Sequence, residues 1–310
     1  MLNYKKMPKV ELHLHLDGSV RPETAAKLLG IDIAEARKNM IADDKCLDLN
    51  DYLTKFFIPG KVMQTKKNLE LISEEIAADL EEDGVIYAEI RFAPLKHIFK
   101  GLSLDEVVES VLKGLAKKSL KTNLILCMMR GDKEEDNIKV VDLAERFLNS
   151  GVVALDLAGA ESIYKTIDYK NLFAYAKGKN IPFTIHAGEA DGKDSMKAAI
   201  DFGAKRLGHG VNAIFYEELL DEIRQKDILL EICPTSNVQT NVINDIKYHP
   251  VRKLYDANIL VSINTDNNTV SNVTLTTEYE KLAQKLNFTY KDFVKMNKDA
   301  IRPVSYTHLT

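Results

Sequence analysis

Four histidines and two carboxylates of this chain sit in short motifs suited to metal or proton chemistry. They are His13 and His15 in ELHLHLDGS, His186 and Glu189 in TIHAGE, His209 in LGHG, and Asp266 in INTD. Three imidazoles and a carboxylate form a nitrogen and oxygen donor set of borderline softness, suited to Zn2+ or Fe2+. A calcium site would need mostly oxygens, and a thiolate site cysteines. We therefore group His13, His15, His186 and Asp266 around one divalent cation, with water completing the shell. Such an ion lowers the pKa of water from about 15.7 towards about 7. His209 is left as a base or electrostatic partner of that water. Glu189 either caps a helix N-terminus or sits in a closed pocket as a proton donor with a raised pKa. Its loop also carries a candidate metal ligand, which favours the second reading.

His-x-His alone is a weak motif; what unites these residues is where the predicted elements place them. Apolar or mixed segments predict strands at 10–16, 85–93, 123–129, 152–157, 181–185, 206–208, 229–233 and 259–264. Several lack the polar alternation of a half-wet strand, which suits a parallel sheet covered on both faces. Amphipathic stretches at 68–82, 104–115, 139–148, 168–177, 195–202, 216–226 and 251–255 predict helices between them, with Ser103 and Glu106 forming a capping box. Strand and helix alternating through the chain point to an α/β fold, a (β/α)8 TIM barrel, whose active site lies at the C-terminal ends of the strands. His13, His15, His186, His209 and Asp266 all fall at such ends. The runner-up, an open doubly wound sheet, usually has a glycine-rich turn after its first strand, where this chain has LHLDGS.

Residues 1–301 are read as one catalytic barrel domain, and 302–310 as a truncated or non-native tail whose His308 is not recruited to the metal. The long insert after the first strand carries Tyr52, Phe56 and Phe57, which either pack as a helix face or lid an apolar pocket. Asp17 caps the next segment or accepts substrate hydroxyls. Gly159 is a turn glycine or lets the backbone approach a flat ring. CPTSN at 233–237 reads as a capped turn, Cys233 as a small buried apolar residue, and Asp156 and Glu161 as structural charges. His97 and His249 receive no role.

Composition limits the partners. Lys plus Arg total 42 against 46 Asp plus Glu, for a net charge of -4, which offers no basic face to nucleic acid and no polybasic membrane patch. Three scattered cysteines form neither a disulfide framework nor a paired-thiolate zinc motif, and a reducing cytoplasm is expected. The first apolar stretch is broken by Glu11, His13, His15 and Asp17, unlike a signal peptide. No window is long and apolar enough for a membrane span.

These motifs, with KVELHLHLDGS at 9–19, DLAGAE at 156–161 and SINTDN at 262–267, resemble the adenosine deaminase family of the metal-dependent amidohydrolase superfamily. The resemblance extends from about residue 7 to about residue 300. It implies a barrel with one Zn2+ per chain, held by His13, His15, His186 and Asp266. It implies Glu189 as proton donor to purine N1, His209 as the residue that orients or deprotonates the attacking water, and Asp266 as aligning that water. It also implies substrate contacts from His15, Asp17 at the ribose hydroxyls and Gly159 at the purine edge. Asn267 replaces a second aspartate common in the family and can donate to purine N7. The implied reaction is hydrolytic deamination of adenosine and 2'-deoxyadenosine. The implied partner is a small purine nucleoside, with oligomeric state unassigned. Kept beside it are a deaminase of adenine, a modified adenosine or a nucleotide; a metal-dependent amide or phosphoester hydrolase; and a non-catalytic nucleoside binder.

Overall fold

Eight strands, all paired in parallel, build the centre of the computed structural model, which describes residues 3–47 and 49–302. Strands β1 (Lys9–His15), β2 (Val85–Phe92), β3 (Lys121–Met129) and β4 (Val152–Ala158) form one run in sequence order. Strands β5 (Thr184–Ala187), β6 (Arg206–His209), β7 (Leu229–Ile232) and β8 (Leu260–Ile263) form the other. Two seams join the runs into a closed barrel. At one, Leu155 bridges Phe183 and its N–H donates to Pro182 O at 2.8 Å. At the other, Leu14 bridges Asp266, His15 N–H donates to Asp266 O at 2.7 Å, and Asp266 N–H donates to His13 O at 2.8 Å. The fold is the (β/α)8 TIM barrel expected from the strand pattern.

Between barrel and helices lies the apolar core. Leu14, Ile90, Leu126, Leu155, Ile185 and Leu207 on the strands meet helix residues such as Ile72, Ile76, Val107, Val140 and Leu219. The helix Lys66–Glu82 is capped by Thr65, and Leu104–Leu115 has the expected capping box from Ser103 and Glu106. β5 starts later than its sequence suggests. Pro182 lacks an N–H for the ladder, and regular pairing with β6 begins at Thr184. CPTSN forms not a turn but the start of a short helix, Pro234–Gln239, with Pro234 at its first position. Two further helices, Leu275–Leu286 and Tyr290–Ile301, follow β8; the second packs Ala300 with Val10, Leu12 and Leu229, and Asn297 Oδ1 accepts from Val10 N–H at 2.9 Å. Residues 303–310 of the expected tail, His308 included, lie outside the described residues.

The insert folds into short helices, Pro22–Leu29, Ile33–Met40, Leu49–Leu53 and Phe57–Val62, of which the last two contribute to the wall of a cavity at the C-terminal rim. No helix among the described residues is long and apolar enough to cross a membrane.

Candidate active site

A cavity of about 320 Å³ opens at that rim, of a size suited to a small molecule. Its wall includes His15, Asp17, Gly159, His186, Glu189, His209, Asp266 and Asn267. His13 lies just behind it, fully buried on β1. The structure thus brings together every residue singled out from the motifs. Strand pleating turns His13 and His15 to one side. Gly208 leaves room for His13 and His186, because a Cβ there would sit 2.9 Å from His13 Cε1 and 3.3 Å from His186 Cγ. His209 ends β6 and Asp266 follows β8 by three residues, with φ of 62° and 61°, a left-handed conformation that costs a non-glycine residue about 1–3 kcal/mol. It turns both side chains inward from the rim.

The nitrogens converge. His13 Nε2 is 3.0 Å from His186 Nε2, and His15 Nε2 is 3.3 Å from the same atom. Asp266 Oδ1 lies 3.6 Å from His13 Nε2 and 3.5 Å from His15 Nε2. A tetrahedral ion with bonds of 2.0–2.1 Å sets its ligand atoms about 3.3 Å apart, which these separations match. The surrounding hydrogen bonds agree. His13 Nδ1 lies 3.0 Å from Glu231 Oε2, and His186 Nδ1 lies 2.9 Å from Asp156 Oδ2. His13 Nδ1–H donates to the Glu231 carboxylate, which leaves its Nε2 lone pair facing His186 Nε2, where a divalent cation would be held. Burial holds the His15 and His186 imidazoles below the usual histidine range, in the neutral form a metal requires. Burial would raise the Asp266 carboxyl, but His13, His209 and His15 outweigh it and keep the carboxylate ionised. The set is capable of binding a divalent metal. A second grouping, His13, His209 and Cys233, shares His13 with the first. Burial pushes the Cys233 thiol well above its usual value, so it offers no thiolate.

Sequence reasoning missed what lies under this cluster. Arg91 donates to Asp156 at 2.9 Å, to Glu231 at 2.7 Å and to Leu12 O at 2.6 Å. Arg206 pairs with Glu89 at 2.6 Å and with Glu231 at 2.9 Å. These charges, all buried, fill the barrel where aliphatic layers are usual. Burial disfavours the Arg91 cation, but Glu231 and Asp156 more than compensate and raise its pKa. Arg91→Met would leave two buried carboxylates short of a partner. We expect it to destabilise the fold by about 3–5 kcal/mol, read by urea denaturation; a loss under 1 kcal/mol would refute the network's role.

Glu189 and His209 face the cavity together, His209 Nε2 lying 3.5 Å from Glu189 Oε2. Burial, then the charges of Asp266 and Glu161, push the Glu189 carboxyl well above the carboxylate range. That environment favours its protonated form beyond the usual carboxylate range. A relay fixes His209. Val251 N–H donates to His249 Nδ1 at 3.1 Å, and His249 Nε2–H to Asn237 Oδ1 at 3.3 Å. Asn237 Nδ2 then donates to His209 Nδ1 at 3.1 Å, leaving the proton of His209 on Nε2, toward the cavity. His249 thus has a place in the site that its sequence context did not suggest.

Of the insert aromatics, Tyr52 and Phe56 line the cavity, whereas Phe57 points outward under Lys61. Asn267 Nδ2 donates to Tyr52 Oη at 3.0 Å. His97, given no role from sequence, is buried in the cavity wall with its pKa lowered by burial to about 4. Asp17 Oδ1 is buried without a hydrogen-bond partner, and burial raises that carboxyl to about 6.

Known proteins share this arrangement. Residues 8–307 match the adenosine deaminase family. The chain is 39% identical over 308 residues to adenosine deaminase of Enterococcus faecalis, covering 96% of this chain and 91% of that protein. It is 40% identical over 313 residues to adenosine deaminase of Clostridium botulinum, covering 97% and 93%. Among solved structures, the Arabidopsis N6-mAMP deaminase superposes with a TM-score of 0.87 at 26% identity, covering 98% and 95%. With a metal-capable cluster and a buried carboxyl of raised pKa facing one cavity, the chain belongs to the adenosine deaminase family of the amidohydrolase superfamily and is a metal-dependent hydrolytic deaminase of a purine nucleoside or nucleotide.

Proposed function

We propose that the protein deaminates adenosine and 2'-deoxyadenosine to inosine and 2'-deoxyinosine with release of ammonia, using one Zn2+ per chain held by His13, His15, His186 and Asp266. The observation that carries this reading is the buried Glu189 carboxyl, its pKa raised by that burial, beside a three-nitrogen, one-oxygen donor set. When bound, the ion supplies a water acidified enough to act as nucleophile at neutral pH. Glu189 gives its proton to purine N1, drawing electron density from the ring and making C6 electrophilic. His209, with its proton on Nε2, orients the adding oxygen by donation, which favours the orienting role over deprotonation. Asp266 aligns the same oxygen. As water adds at C6, one of its protons passes by way of the Asp266 carboxylate to the amino group; the C6–N bond then breaks to release ammonia while C6=O forms, and the remaining hydroxyl proton restores the Glu189 acid.

Two features favour a nucleoside. The unpartnered Asp17 Oδ1 is an acceptor that ribose hydroxyls would satisfy, recovering about 1–3 kcal/mol of desolvation. Among the described residues, the one ammonium or guanidinium group lining the cavity is Lys96, and Asp132 already engages it at 2.8 and 2.9 Å. A 5'-phosphate would meet carboxylates and a cation that is already paired. Gly159, with φ of 105° in the wall, offers its backbone to the purine edge. Asn267 keeps a second N–H for N7, and His15 lies against the same cavity.

Initial rates on adenosine, AMP and adenine, followed by ammonia release, test this directly. Adenosine is expected to exceed AMP in kcat/KM by at least about 100-fold, or roughly 2.7 kcal/mol. A ratio near one, or preference for AMP, would move the assignment to nucleotides.

A further inference from the structure

The loop carrying Glu189 is gripped by a single buried side chain. Glu161, in the turn after β4, accepts from the backbone N–H groups of Gly188 at 2.7 Å, Glu189 at 3.0 Å, Ala190 at 2.7 Å and Asp191 at 3.1 Å. Ser195 Oγ donates to the same carboxylate at 2.5 Å. Successive N–H groups aimed to one side make an anion-binding concavity. In this chain the protein's own carboxylate fills it.

The grip is braced on both sides. Ser195 Oγ lies 2.6 Å from Thr166 Oγ1, which accepts from Arg130 at 2.9 Å; Arg130 also donates to His186 O at 2.7 Å. From the opposite side, Asn212 Nδ2 donates to Glu189 O at 3.0 Å and to Asp191 O at 3.1 Å. The Glu189 side chain itself is held loosely, by Asn237 and Thr240 each at 3.3 Å. Its placement therefore depends on its backbone.

We propose that Glu161 is a positioning residue for the deamination: by fixing the backbone of 188–191 it sets where the Glu189 carboxyl meets the substrate ring. This rests on the reading of Glu189 as the proton donor. The Glu161 charge has a second effect in the same direction, since it helps keep the Glu189 carboxyl protonated.

Glu161→Gln keeps the shape but replaces one accepting oxygen with an NH2 that cannot accept from N–H groups. In the full-length enzyme, amide hydrogen exchange across 188–191 is expected to quicken at least about tenfold. Turnover of adenosine is expected to fall about 100-fold, with KM and metal content within about threefold, since small misplacements of a reacting group cost that much. In the Glu189→Gln background the same change should alter residual turnover less than about threefold, because no donor remains to be misplaced. A merely structural role would lower both backgrounds alike. Equal losses in the two backgrounds, or unchanged exchange at 188–191, overturn the proposal. If Glu161→Gln fails to fold, Ser195→Ala removes one donor to the carboxylate and is expected to show the same pattern at about tenfold. Should the unsubstituted enzyme release no ammonia from adenosine, the substrate reading fails by itself, and exchange at 188–191 still decides whether Glu161 fixes the loop.

Discussion

Glu189→Gln is expected to retain a full metal complement and near-normal KM while losing about 10³- to 10⁴-fold in kcat, the upper range for a general acid. The amide matches the protonated carboxyl in size and charge, so the cavity and its hydrogen bonds to Asn237 and Thr240 have reason to persist. What disappears is a proton that can leave. The pH profile supplies a second reading. Because burial raises the Glu189 pKa, the active protonated form persists above the usual carboxylate range, and activity is lost as pH rises through the raised value. The wild type should therefore show an alkaline limb that the Gln variant lacks. Metal analysis beside kcat decides the matter, and normal turnover in the variant would remove Glu189 from the chemistry.

His15→Ala and Asp266→Ala are expected to lose the metal and, with it, at least about 10⁴-fold in turnover, since water at its ordinary pKa is a poor nucleophile. Each contributes an atom to the convergent set, Asp266 Oδ1 standing 3.5 Å from His15 Nε2. Ser236 Oγ donates to Asp266 Oδ2 at 2.5 Å, which leaves Oδ1 directed at the cluster. Elemental analysis of both variants, together with chelation of the wild type and add-back of zinc, tests the assignment. Stoichiometric zinc in both variants would exclude these two side chains as ligands. Full activity after complete chelation would end the metal reading altogether.

The sequence made the rim legible because its chemistry is punctuated. His13, His15, His186, His209 and Asp266 each interrupt or end an apolar run, and parallel strands carry such interruptions to a common end. The supports of the site were not legible in the same way. Arg91, Glu231 and Asp156 lie within strands and read as ordinary polar positions until the barrel closes and pairs residues from β2, β4 and β7. Glu161 read as a structural charge without a stated partner, because its partners are backbone amides, which a sequence does not display. His97 and His249 lacked a strand end to advertise them. The helix Leu275–Leu286 does carry apolar spacing at Leu275, Tyr279 and Leu282, but its polar composition obscured it. Tyr52 split from Phe57 because a helical face buries only part of a sequential aromatic run.

The seam between β1 and β8 has a consequence for the chain as a whole. Its backbone bonds involve His13, His15 and Asp266, the same residues whose side chains would hold the proposed cation. An ion there acts as a clasp on a hoop, tying the first stave to the last across nearly the full contour of the polypeptide, where closing the ring costs the most chain entropy. An ion that binds only the closed hoop stabilises the folded chain by mass action, about 2.7 kcal/mol when free metal is a hundredfold above its dissociation constant. The chelated samples would register this as earlier melting that begins at the seam between β1 and β8.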